Sequence, residues 1–162
     1  MKEFILSSIT QQTLILVAED RNSEYRLLEL AFAEGYPQIT LQRVHNGVEL
    51  MAYLSQCGAS TAIQQVSRPD MILLDVNMPS KNGLEALAEI KANPHWRGIP
   101  VIMMTTCSRP STVQEAYDLG ASAYIVKPLS FDELERAVKT FAEYWFGIVR
   151  LPSGEATLSV EN

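Results

Sequence analysis

Met71-Ile72-Leu73-Leu74-Asp75-Val76-Asn77-Met78-Pro79 is the stretch that decides the fold. A short apolar run closed by turn-forming residues reads as a buried strand. Asn82-Gly83 follows and turns the chain again. Asp75 therefore ends a strand, at the rim where open α/β sheets gather their chemistry. The same pattern recurs along the chain. Leu14-Ile15-Leu16-Val17-Ala18 delivers Glu19-Asp20, Val101-Ile102-Met103-Met104 delivers Thr105-Thr106, and Ala123-Tyr124-Ile125-Val126 delivers Lys127-Pro128. Three acids, a hydroxyl and an amine are thus expected on one rim, the inventory for a phosphorylated carboxylate.

Helical patterns fill the intervals. Asn22 or Ser23 can cap a helix carrying Leu27, Leu30 and Ala31, which Glu34-Gly35-Tyr36-Pro37 stops. Ile39–Val44, with Ile39, Leu41 and Val44 apolar, reads as an outer strand, and His45-Asn46-Gly47 turns into a helix over Val48–Leu54. Gln56 to Arg68 is a long connection. A helix over Leu84–Ala92 ends at Asn93-Pro94, Ser111 can cap one over Thr112–Leu119 before Gly120, and Ser130 one from Phe131 to about Phe146. Alternating strands and helices predict a parallel α/β sheet covered on both faces. Right-handed crossovers leave few topologies. One of them is a five-stranded, flavodoxin-like, doubly wound (βα)5 fold of strand order 2-1-3-4-5, with its ligand site beside the first and third strands.

The 162 residues are 47% hydrophobic and 20% charged, a composition suited to one globular domain. The net charge of −6 argues against a nucleic-acid partner. The apolar stretch within Met1–Ser8 is too short for a signal peptide, and no span reaches membrane length. Cys57 and Cys107 lack metal-ligand spacing and read as free thiols of a cytoplasmic protein. His45 and His95 are expected to be solvated. The domain is expected over residues 10–149, with a short tail over 150–162 and no output domain.

Glu19-Asp20, Leu73-Leu74-Asp75-Val76-Asn77-Met78-Pro79 with Asn82-Gly83, Met104-Thr105-Thr106 and Tyr124-Ile125-Val126-Lys127-Pro128 together resemble the receiver domain of two-component response regulators. The resemblance runs from about Leu14 to Phe146. A narrower one links Glu143-Tyr144-Trp145-Phe146 through Leu151-Pro152 to small stand-alone receivers paired with bacterial phytochromes. The resemblance implies that Asp75 is the phosphoacceptor for a sensor histidine kinase's phosphohistidine. It implies that Asp20 and Asp75 bind Mg²⁺ directly, Glu19 through water, and Asn77 through its backbone carbonyl. Thr105 and Lys127 would contact the phosphoryl group, and Tyr124 would move inward as Thr105 shifts. The Lys127–Pro128 bond is cis in many receivers. The kinase would dock near Arg21, Asn22 and Tyr25, and output would be protein–protein contact rather than catalysis.

The residues support the assignment on their own terms. Crowded carboxylates repel one another unless a cation joins them, and hard oxygen donors suit Mg²⁺. A carboxylate is an accepted nucleophile for phosphoryl transfer, which depends on positioning and charge. Glu19 stands where aspartate is commoner. Thr106 stands where alanine is usual and is expected to narrow access to the phosphoryl group. Asn77 is placed to orient a hydrolytic water. A phosphatase of the haloacid-dehalogenase type also uses an Asp nucleophile, but it wants a second Asp where this chain has Asn77. A docking module that has lost phosphorylation would not need Asp75, Thr105 and Lys127 together. The dense run Phe141, Tyr144, Trp145, Phe146, Ile148 and Val149 is wider than one helical stripe and predicts self-association through the last helix.

Overall fold

A computed structural model describes residues 12–57 and 66–152. The expected tail over 150–162, the domain's first residues and the middle of the Gln56–Arg68 connection lie largely outside them.

Five strands and five helices alternate: β1 (Thr13–Ala18), α1 (Asn22–Ala33), β2 (Ile39–Val44), α2 (Gly47–Gln56), β3 (Met71–Leu74), α3 (Gly83–Ala92), β4 (Val101–Thr105), α4 (Pro110–Asp118), β5 (Ala123–Val126) and α5 (Phe131–Gly147). The sheet is parallel throughout, in the order β2-β1-β3-β4-β5 expected from the sequence.

Period-two alternation splits the strands between two apolar layers. Leu16 and Ala18 of β1, Ile72 and Leu74 of β3, and Val101 and Met103 of β4 pack with Leu50, Leu54, Leu87 and Ile90 of α2 and α3. Ile15, Val17, Met71, Leu73, Ile102 and Met104 pack on the other side with Leu28 and Phe32 of α1 and Val138 and Phe141 of α5. Strands β3 and β4 are buried at every position because both faces of the sheet are covered.

Helix starts follow local capping chemistry, with two departures from expectation. Asn46, Asn82 and Ser130 each accept a backbone N–H three residues on, and Asn82 forms a reciprocal capping box with Glu85. α4 starts at Pro110, ahead of Ser111, because proline's fixed φ and missing N–H suit the first helical position. α1 starts from Arg21, with no side-chain cap from Asn22 or Ser23. The Asn22 side chain instead accepts a hydrogen bond from Arg43 of β2. Gly120 ends α4 with φ of 103°, a conformation that favours glycine.

β2 also departs from the sequence reading. Ile39, Leu41 and Arg43 share the phase that faces α1, while Val44 belongs to the opposite layer. A charged residue therefore occupies the last inward slot of this edge strand.

Candidate metal and phosphoacceptor site

Register brings the acids together. Ala18 pairs with both Val44 and Leu74. The ladder runs one residue further, with Glu19 N–H donating to Val44 O at 3.1 Å and Asp75 N–H to Ala18 O at 3.2 Å. Glu19, Asp20 and Asp75 consequently present carboxylate oxygens that all lie within 4.8 Å of one another. Lys127 N–H donates to Thr105 O at 2.8 Å and so ties the end of β5 to the end of β4.

Lys127 reaches across the sheet to the acids. Its Nζ lies 3.1 Å from Asp75 Oδ2, is paired with Glu19 Oε2 and stands 3.5 Å from Glu24 Oε2. The side chains of Lys127, Glu19 and Asp75 are only 12%, 4% and 9% exposed. Burial alone would lower the lysine's pKa. The hydrogen bonds and charges of Glu19 and Asp75 outweigh it and hold the ammonium above its ordinary value. Burial pushes the Glu19 carboxyl up, against the partial relief from Lys127 and from Arg21 N–H, which donates to Glu19 Oε1 at 3.1 Å.

The donor set fits a small divalent cation. Three carboxylates offer hard oxygens at close quarters, Asp20 is only half-buried, and the charge they carry exceeds what one ammonium neutralises. Asn77 N–H donates to Asp75 Oδ1 at 3.2 Å, orienting that carboxylate, and the Asn77 residue is exposed.

Thr105 is fully buried, and its Oγ1 accepts the Cys107 N–H at 3.3 Å. Among the described residues its own hydroxyl proton has no hydrogen-bond acceptor. Thr106 stands outside this packing, exposed at the end of β4. Tyr124 is half-buried and donates from its hydroxyl to Cys107 O at 2.6 Å. Burial first, then the neighbouring Cys107, pushes its pKa up to about 12. The Cys107 thiol is lowered to about 7 by hydrogen bonds from the backbone and side chain of Arg109, then from Thr112.

The cis-peptide expectation at Pro128 is corrected: among the described residues every peptide bond is trans. Even before proline the trans form is favoured by about 0.5–1 kcal/mol, and Lys127 makes its contacts with Glu19, Asp75 and Thr105 from that isomer.

Sequence reading missed Glu24 and Arg43. Glu24 lies within the first turn of α1 and looks like an ordinary helix-start acid. The signal for Arg43 was its parity with Ile39 and Leu41.

A cavity of about 120 Å³ opens beside the acids, lined by Glu19, Asp75 and Lys127 and by Leu27, Leu129 and Phe131.

The comparisons with known proteins agree with this geometry. The family model described as response regulator receiver domain matches residues 15–139. The chain is 34% identical over 139 residues to response regulator Rcp1 of Synechocystis sp., covering 86% of this chain and 92% of that protein. It is 33% identical to the probable methanogenesis regulatory protein FilR2 of Methanothrix harundinacea, covering 86% and 87%. Among solved structures, the phosphorylated cyanobacterial phytochrome response regulator RcpA superposes with a TM-score of 0.78 at 36% identity, over 88% of this chain and 99% of that one. The manganese-bound form of Rcp1 superposes with a TM-score of 0.76 at 33% identity, over 87% and 99%.

Proposed function

The chain belongs to the response regulator receiver family, and from that premise we propose that it is a stand-alone switch whose Asp75 takes a phosphoryl group from a histidine kinase. The observation that carries this reading is Lys127 Nζ 3.1 Å from Asp75 Oδ2, beside the carboxylates of Glu19 and Asp20. An Asp75 oxygen attacks phosphorus, the bond to the kinase imidazole breaks, and its electron pair returns to the leaving nitrogen.

Asp20 and Asp75 would hold Mg²⁺, with Glu19 acting through water and Asn77 through its carbonyl, and the bound cation would supply the positive charge that the crowded acids and a phosphoryl group need. Divalent binding is supported by the acidic cluster and by the manganese-bound relative. Lys127 offers a point charge to the phosphoryl group once that group draws it from Glu19. Thr105 donates its free proton to a phosphoryl oxygen. That movement changes the support its Oγ1 gives to the Cys107 N–H, and Tyr124, bonded to Cys107 O, follows. The charge at Asp75 thereby biases the face formed by α4, β5 and α5. Thr106 screens the phosphoryl group, and Asn77 orients the water that removes it, so the two set its lifetime.

The kinase is phytochrome-like, an inference supported by the names of the relatives. It docks over α1 near Arg21, Asn22 and Tyr25. The output is protein contact, including self-association through α5, where Tyr144 and Ile148 are 52% and 80% exposed. No helix among the described residues is long and apolar enough to cross a membrane, in keeping with a cytoplasmic site of action. The chain turns over no external phosphomonoester, since a phosphatase would want an acid where Asn77 stands.

The test is labelling by acetyl phosphate with Mg²⁺. Wild type should be labelled and Asp75→Asn should not. Equal labelling of the variant, or steady hydrolysis of phosphomonoesters, would overturn the reading.

A further inference from the structure

Arg43 is the one strongly polar side chain on the α1-facing phase of β2, and among the described residues its side-chain hydrogen bonds and its aromatic contact go to the segment carrying Glu19 and Asp20 or to the helix after it. Its Nε donates to the main-chain carbonyl of Glu19 at 3.0 Å, and its Nη1 to Asn22 Oδ1 at 2.8 Å. The guanidinium carbon lies 4.9 Å from the centre of the Tyr25 ring. Its Nη2 is buried with no hydrogen-bond partner among the described residues, as a fork laid over an aromatic face leaves it.

These contacts stand where a helix cap is missing. α1 begins without a side-chain cap, and Asn22, a residue suited to capping, is turned to Arg43 instead. Loop entry into α1 is therefore fixed from the neighbouring strand.

We propose that Arg43 is a positioning residue for the cation site: it holds the β1–α1 loop so that Glu19 and Asp20 meet Asp75 in a ligating arrangement. This inference rests on the receiver reading of Glu19 and Asp20 as metal-holding acids. Arg43 touches neither phosphoryl group nor cation, and it acts through the Glu19 carbonyl.

Charge and positioning make opposite demands here. Arg43 is a positive charge next to an anionic site, so removing charge alone strengthens cation binding. Removing a clamp weakens it, because the free loop must be ordered when the cation arrives. Lysine keeps the charge and loses the planar fork.

The experiment is calorimetric titration of the full chain with Mn²⁺, without phosphoryl donor, at a temperature where circular dichroism shows each variant folded. Arg43→Met should raise the Mn²⁺ dissociation constant about tenfold, the scale seen when outer-shell supports of a metal site are lost. Arg43→Lys should also bind more weakly than wild type. Arg26→Met, which removes an exposed arginine paired with Glu29, should bind as wild type does. Equal or tighter binding by Arg43→Met overturns the positioning role while leaving the receiver reading intact. If Arg43→Met does not fold, Arg43→Lys decides, and unchanged affinity in it overturns the role. A wild type that binds no Mn²⁺ overturns both.

Discussion

Gly83 lies so close to Asp75 that a Cβ added to it would stand 2.0 Å from the Asp75 carbonyl oxygen. Gly83 N–H also donates to Val76 O at 2.9 Å. The start of α3 is thus pressed against the backbone of Asp75, the proposed acceptor, and only a residue without a side chain permits it. Gly83→Ala should destabilise the fold by about 3 kcal/mol, the upper part of the usual overpacking range. It should also slow labelling by acetyl phosphate, because the displaced backbone is that of Asp75. Urea unfolding and a labelling time course check both effects. A variant as stable and as readily labelled as wild type would show the contact to be slack.

Lys127 binds the same carboxylates that a cation needs. Lys127→Met should destabilise the protein by about 3 kcal/mol in chelator, since Glu19 and Asp75 lose their buried counter-charge. Added Mg²⁺ should return much of that loss and should bind the variant more tightly than wild type. Thermal melts with chelator and across a Mg²⁺ series test this. Equal metal dependence in the two proteins would mean that the ammonium and the cation do not compete.

Cys107 should react with iodoacetamide with a midpoint near pH 7, because hydrogen bonds from Arg109 and Thr112 favour its thiolate. Reactivity is present above the midpoint and falls as pH drops through it. Burial raises the Cys57 thiol, so Cys57 should respond only at alkaline pH. Tyr124→Phe should leave that midpoint nearly where it is, because the phenol's one proton is given to Cys107 O and not to the thiol. It should also cost about 1 kcal/mol through the lost hydrogen bond to Cys107 O. Rate–pH profiles followed by peptide mass spectrometry separate the two thiols.

Self-association should depend on the exposed end of α5. Phe141 is buried and Trp145 and Phe146 pack on the core, so the expected surplus is smaller than the sequence run implied. It comes down to Tyr144 and Ile148. Ile148→Glu should weaken a dimer at least tenfold in sedimentation equilibrium without changing the melting temperature. Wild type that stays monomeric at high concentration, with and without phosphorylation, would remove the proposed interface.

Apolar strand runs made the strand–helix alternation and the placement of Glu19, Asp20, Asp75, Thr105 and Lys127 at strand ends legible in the residues alone, while the strand order was one of the few topologies that right-handed crossovers allow. Each run ends at a polar residue, and parallel pairing lines up those ends. Helix starts were less legible. Asn22 has the chemistry of a cap, yet its oxygen goes to Arg43, a partner twenty-one positions away. Pro110 takes the first helical position that Ser111 was expected to cap. Arg43 itself was hidden by Val44, whose apolar character pulled the β2 pattern out of phase. The Lys127–Pro128 isomer was carried over from the family and did not hold, since spacing carries no information about it.

The most direct measurement is borohydride reduction of protein phosphorylated by acetyl phosphate in Mg²⁺, followed by peptide sequencing. An acyl phosphate is reduced to the alcohol, so homoserine should appear at position 75 and nowhere else. Homoserine at another acid, or none in protein that has taken up label, would contradict the account at its centre.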